Sequence, residues 1–182
     1  MSIRTISSRT VYSNRWMTLR EDAIERADGS PGIYSVVEKP DFALIIPIEE
    51  GHVYLVEQYR VPVRARFLEF PQGAWEGRPS GDPIELARGE LQEETGLQAA
   101  QMECLGHLFI AYGMSNQGFH IFRASGFTQG EATPDKEEQD LEVRRIPVEE
   151  FEEMVRRGVI KDAATISAWA LLRMKGAGLR SR

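Results

Sequence analysis

Cysteine is nearly missing from this sequence: Cys104 stands alone, so no intrachain disulfide can form. Histidine is almost as scarce, and His52, His107 and His120 are far apart in sequence. With a lone cysteine they offer no zinc-ligand spacing. No apolar run approaches the roughly 20 residues that cross a bilayer, which predicts a protein that does not enter the membrane. The opening MSIRTISSRT lacks the apolar stretch of a secretory signal, so the expected compartment is cytoplasmic. Positive charge is also short, with 22 Lys and Arg against 28 Asp and Glu and a formal net charge of −6. That balance speaks against a nucleic acid partner, whose backbone demands a basic surface. An anionic substrate would therefore need a cation at its site. What the chain does have is 182 residues at 42% hydrophobic content, enough for one well-buried core.

Repeats, low-complexity tracts and dividing linkers are absent too. Short β-rich runs fill the first forty residues, at Arg4 to Tyr12, Met17 to Glu25 and Ile33 to Glu38, with the turn-forming ADGSPG before the last. They predict a small antiparallel meander over residues 1–40. FALIIPIEEGHVYLVEQYRV then reads as two central strands joined at EEGH. FLEFPQG, MECLGHLFIAY, GFHIFRASGF and LEVRRIPV are further strand candidates. VEEFEEMVRRG and DAATISAWALLRMKG have helical apolar spacing and end on glycine. Strands around one helix, closed by two more, predict an α+β fold or a layered α/β/α domain. Aromatic residues such as Trp16, Tyr34 and Phe109 are more often core than base-stacking platforms, and none is singled out for stacking.

The segment GAWEGRPSGDPIELARGELQEETGL, residues 73–97, carries the chemistry. Asp82 can cap a helix, Pro83 suits its first position and Gly96 can end it, so a helix is expected from about Pro83 to Glu94. At about 100° per residue, Ile84, Ala87 and Leu91 share an apolar stripe, and Glu90, Glu93 and Glu94 share the arc beside it. Such carboxylates repel one another. Arg88 points towards Glu85 and Gln92 instead. The spacing admits two readings, a solvated acidic face or a site for a hard cation such as Mg²⁺, whose preferred partners are clustered oxygens and phosphate.

The same segment resembles the box of the Nudix hydrolases, G‑x5‑E‑x7‑R‑E‑U‑x‑E‑E‑x‑G‑U with U a bulky aliphatic residue. Gly73 matches its first glycine, and Glu90, Leu91, Glu93, Glu94, Gly96 and Leu97 match its closing run. The resemblance implies that Glu90 and Glu94 bind Mg²⁺ or Mn²⁺ directly, with Glu93 as an additional or water-mediated ligand. Two positions depart from the box: its first glutamate falls on Gly81, in a lengthened loop, and its arginine falls on Gly89. That arginine would stand four residues before Glu93, where it could orient a carboxylate.

Beyond the box, VYSNRWMTLREDAIERADG, YSVVEKPD, VYLVEQYRVPV, LEFPQG and GVIKDAATISAWALLRM are similar to the ADP-ribose pyrophosphatase branch of that family. The expected fold becomes a Nudix-type α/β/α sandwich with a mixed sheet over residues 41–182. The N-terminal antiparallel strands of residues 1–40 are expected to exchange in a homodimer. By the same resemblance Gln72 gives its backbone carbonyl to the metal and Glu69 lies on the metal and ribose side. Arg60 contacts the substrate diphosphate, as a guanidinium fork suits phosphate oxygens. Each has a plain alternative: Glu69 as an exposed strand-end glutamate, Arg60 as a surface partner of Glu57. The water-activating base is expected in DKEEQDLEV, at Glu137 or Glu138, with Glu138 preferred as nearer the strand. GMSNQG replaces a loop that carries a proline and an acidic residue in ADP-ribose enzymes. The expected reaction is metal-dependent hydrolysis of a nucleoside diphosphate sugar, ADP-ribose to AMP and ribose 5-phosphate first among them. A Nudix-fold module that binds or senses a nucleotide sugar without cleaving it is the alternative, favoured by Gly89.

Overall fold

The computed structural model describes residues 3–75, 81–133 and 140–176. Two compact units emerge, Met1–Asp41 with Phe109–Gly118, and Phe42–Leu108 with Phe119–Arg182. In the first, β1 (Arg4–Ser13), β2 (Thr18–Glu25) and β3 (Pro31–Glu38) form an antiparallel sheet in the order β1-β2-β3. The expected meander is there. Gly29, at φ +82, supplies the left-handed residue of the β2–β3 turn. Segment 109–118 is fastened to β3: Val37 N–H donates to Met114 C=O at 2.8 Å, Tyr34 O–H to Gly113 C=O at 2.7 Å, and Ser115 O–H to Val37 C=O at 2.8 Å. The divergent GMSNQG loop is thus part of this unit.

The core expectation for Trp16, Tyr34 and Phe109 fails. They are 54%, 41% and 56% exposed, because an open three-stranded sheet with its one added segment has no second layer within its unit to bury them.

In the second unit, β4 (Phe42–Glu49) and β5 (His52–Arg60) form the expected hairpin, with Ile48 opposite Val53 and Glu49 opposite His52. Glu50 and Gly51, both at positive φ, make the two-residue turn that suits strand twist. Then follow β6 (Ala65–Glu69), β7 (Gln72–Gly73), α1 (Pro83–Thr95), β8 (Leu97–Phe109), β9 (Gly118–Gln129), β10 (Glu142–Pro147), α2 (Val148–Arg156) and α3 (Ala163–Met174). The sheet runs β10-β5-β4-β9-β8, with β6 on β5 and β7 on β4. β4 is parallel to β9 and antiparallel to β5, so the sheet is mixed.

Alternation along β4 explains the layers. Ala43 and Ile45 pack with Leu86, Ala87 and Leu91 of α1, whereas Leu44, Ile46 and Ile48 join Phe151 of α2 and Ala164, Ala168 and Leu172 of α3. A strand buried on both faces reads as a continuous apolar run, as this one does. The second unit is the expected α/β/α sandwich. Phe151 anchors the second layer, with its ring centroid 5.3 Å from Phe70 and 4.9 Å from Trp169. His107 and His120, distant in sequence, meet on the sheet with ring centroids 4.8 Å apart.

Candidate metal and diphosphate site

Helix α1 starts and stops by the expected devices. The Asp82 carboxylate accepts from Ile84 N–H at 3.1 Å, and Gly96 adopts φ +73. Its acidic residues are not one solvated face. Glu94 is 1% exposed, Glu90 is half-buried and Glu93 is exposed, so the arc turns from core to water. A plain acidic surface does not account for Glu94. Arg88 corrects a second expectation, since its Nη1 donates to Ala99 C=O at 2.8 Å, tying α1 to β8.

Strand β7 is the partner of the buried side. Gln72 N–H donates to Glu94 Oε2 at 3.1 Å. The next residue, Gly73, lies so close to Glu90 that a Cβ there would collide with the carboxylate. Two consecutive residues of β7 therefore touch two carboxylates one helical turn apart. Gln72 also reaches the other way, where its Nε2 donates to Asp162 Oδ2 at 3.4 Å.

Glu69, at the end of β6, is 3% exposed, which removes the reading of an exposed strand-end glutamate. Its oxygens accept from Gln58 Nε2 at 2.8 Å and Arg60 Nε at 3.3 Å, and Arg60 Nη2 pairs with it as well. Arg60 thus partners Glu69, whereas Glu57 takes Arg66 and Arg144. Burial pushes the Glu69 carboxyl above the usual carboxylate range; Arg60 and Gln58 pull it down, and the charge of Asp162 adds to the rise. This sets a pH dependence. A carboxyl raised on folding contributes stability below its unfolded pKa of about 4.3 and loses it as pH rises through its folded value. Metal-free Glu69→Gln should therefore resist urea better than the parent at pH 7, the gap closing near pH 4. A gap that widens towards pH 4 would reverse this sign.

Gln58, Asp162 and Thr165 were not foreseen at the site. Asp162 caps α3, its Oδ2 accepting from Thr165 N–H at 2.7 Å, and the Asp-x-x-Thr spacing was the visible signal. Glu137 and Glu138 lie outside the described residues. Their described flanks are held at both ends: Thr133 N–H donates to Glu93 C=O at 3.1 Å, and Asp140 pairs with Arg66.

Comparison with known proteins decides the family. A NUDIX domain is matched over residues 38–169, and a nucleoside diphosphate sugar hydrolase N-terminal domain over residues 3–37. The chain belongs to the Nudix hydrolase family. It is 31% identical over 166 residues to an ADP-ribose pyrophosphatase of Mycobacterium tuberculosis, covering 90% of this chain and 79% of the other. It is 28% identical over 176 residues to a methanol dehydrogenase activator of Bacillus methanolicus, covering 96% and 94%. A GDP-mannose pyrophosphatase of Yersinia enterocolitica is 26% identical over 181 residues, covering 91% and 93%. The crystal structure of an ADP compounds hydrolase superposes with a TM-score of 0.85 at 24% identity, over 98% and 97% of the two chains, a likeness of fold.

The residues present suit the divalent cation that Nudix hydrolases generally use. The donors that converge are hard oxygens, from Glu90 and Glu94 of α1 beside the β7 backbone, and Gly73 leaves room for the Glu90 carboxylate. Both departures from the Nudix box have a local cause or consequence. A Cβ on Gly81 would stand 2.7 Å from Trp75 Nε1, so a glutamate there would require the Trp75 ring to move. Gly89 is different, for a Cβ there would meet only Glu93 Oε1, at 3.8 Å. Gly89→Ala should then stabilise the protein by about 1 kcal/mol through helix propensity, or roughly 2–4 °C in Tm, with kcat unchanged. Differential scanning calorimetry beside a turnover assay would show it; an unaltered or lower Tm would mean that Gly89 serves the fold.

Proposed function

We propose that the protein hydrolyses the pyrophosphate bond of a nucleoside diphosphate sugar with the help of Mg²⁺ or Mn²⁺, with ADP-ribose, giving AMP and ribose 5-phosphate, as the first substrate to test. The observation that carries this reading is the meeting of Gln72 and Gly73 with Glu94 and Glu90. Glu90, Glu94 and the Gln72 carbonyl would hold the cation, with Glu93, more exposed, reaching it directly or through water. When bound, such an ion neutralises phosphate charge and lowers the pKa of a water.

The chain's own groups do the rest. Arg60, its side chain 41% exposed while it holds Glu69, offers a guanidinium fork to the diphosphate, and Glu69 fixes that fork's direction. Glu138 or Glu137 takes the proton from the attacking water, with Glu138 preferred. Relatives named for ADP-ribose and for GDP-mannose support the substrate class and leave the sugar to be found. A homodimer joined through the N-terminal strands of residues 1–40 is supported by the exposed apolar side chains Ile3, Ile6, Val11 and Ile33 of the first unit.

A panel of nucleoside diphosphate sugars incubated with Mg²⁺ and with Mn²⁺, its products identified by mass, tests the reading. Mononucleotide and sugar phosphate should appear. Binding with no cleavage under either metal would transfer the case to a sensing module, the role that Gly89 favours.

A further inference from the structure

We propose that Asp162, the N-cap of α3, and Thr165, in its first turn, are positioning residues for the divalent cation. They hold the segment from Phe70 to Gly73 where Gln72 and the carboxylates of α1 can share one ion. The inference rests on the metal reading above and names a control that the Nudix box does not contain.

Three consecutive residues of the segment are fixed by three different elements. Phe70 N–H donates to Thr165 Oγ1 on α3 at 2.9 Å, Pro71 C=O accepts from Ile45 N–H on β4 at 2.9 Å, and Gln72 N–H donates to Glu94 Oε2 on α1 at 3.1 Å. Phe70 and Thr165 are each 0% exposed, so no water can replace the hydroxyl as acceptor. Asp162 completes the tether, since its Oδ2 accepts from both Thr165 N–H at 2.7 Å and Gln72 Nε2 at 3.4 Å. If the hydroxyl is lost, the buried Phe70 N–H must seek a new acceptor by turning its peptide. That turn is passed two residues along, to the Gln72 carbonyl. Partners of metal ligands commonly change metal affinity by about 10–100-fold when removed.

Packing alone predicts something else. Ala164, Ala168 and Leu172 seat α3 in the core, and valine fills nearly the same space as threonine. Thr165→Val should therefore lower stability whether or not the hydroxyl positions a ligand. Metal affinity separates the two roles, and Thr165→Ser, which keeps the hydroxyl, should restore it.

The test is Mn²⁺ titration of the full chain without nucleotide, by calorimetry or electron paramagnetic resonance, well below each variant's Tm. Thr165→Val should bind Mn²⁺ about tenfold more weakly, with Thr165→Ser near the parent. In turnover, the Mn²⁺ concentration for half-maximal rate should rise while kcat at saturating Mn²⁺ stays near the parent's. A folded Thr165→Val with parental Mn²⁺ affinity would overturn the proposal. Should that variant not fold, Asp162→Ser carries the test: serine still caps α3 but cannot reach Gln72, and unchanged affinity there refutes the tether. A parent protein that binds no Mn²⁺ fails at an earlier step, sinking the metal reading itself.

Discussion

Glu94→Gln should lower kcat by at least about 10³-fold at saturating Mg²⁺, equivalent to about 4 kcal/mol of transition-state stabilisation, while Tm moves little. The substitution is nearly isosteric. A glutamine oxygen can still accept the Gln72 N–H that Glu94 Oε2 accepts at 3.1 Å, so the junction between α1 and β7 keeps its hydrogen bond. What disappears is the negative charge, at a site only 1% exposed where water cannot replace it as a ligand. A loss of hard anionic ligand should weaken the ion and leave less charge compensation for phosphate in the transition state. Burial sharpens the contrast with its neighbour. Glu93→Gln, at an exposed position, should cost less than Glu94→Gln under the same conditions. Steady-state kinetics over a Mg²⁺ series, with Tm measured in EDTA, gives the answer. If Glu94→Gln retains parental kcat, the helix carboxylates are not the metal site, whatever their resemblance to the Nudix box.

Local devices were legible in the amino-acid sequence. The Asp82 cap, the Gly96 stop and the hairpin joined at EEGH depend on residues a few positions apart, and each is found where expected. The sandwich was legible for a related reason: the apolar run of β4 has to be covered on both sides. Burial of the charged groups was not. Glu90, Glu93 and Glu94 share one arc of one helix, and the buried Glu94, not the exposed Glu93, is the one that meets the β7 backbone. Glu69 gives the same lesson, as its partners Gln58 and Arg60 come from β5 and its unfavourable neighbour Asp162 from the start of α3. Trp16, Tyr34 and Phe109 erred in the opposite sense. An aromatic residue is usually buried, but their unit is one sheet and a short segment, with few places to bury it. The Asp162 cap has a local signal in its Asp-x-x-Thr spacing, which went unread, whereas its reach to Gln72 spans 90 positions of sequence.

Gly73→Ala should cost about 10²-fold in kcat and weaken Mn²⁺ binding, yet leave Tm within a few degrees of the parent. The reason is steric. A methyl on Gly73 would occupy the space of the Glu90 carboxylate, the far end of a flexible side chain that can swing aside without moving backbone. Its pairing partner Ala43 and the β4 ladder have no need to shift, so stability is largely kept. The carboxylate, once displaced, no longer lies beside the β7 backbone where an ion could take both. Misplacing one ligand by about 1 Å is enough for a loss of this size. The same change separates two uses of the glycine. If Gly73 served only as a hinge or turn residue, alanine would lower Tm and kcat together. If it makes room for a metal-bound Glu90, Mn²⁺ affinity should fall with Tm preserved, and Glu90→Asp on the Gly73→Ala background should recover part of the activity, because the shorter side chain clears the methyl. A doubly substituted protein no more active than Gly73→Ala alone, or a Gly73→Ala protein with parental Mn²⁺ affinity, would dissociate the glycine from the ion.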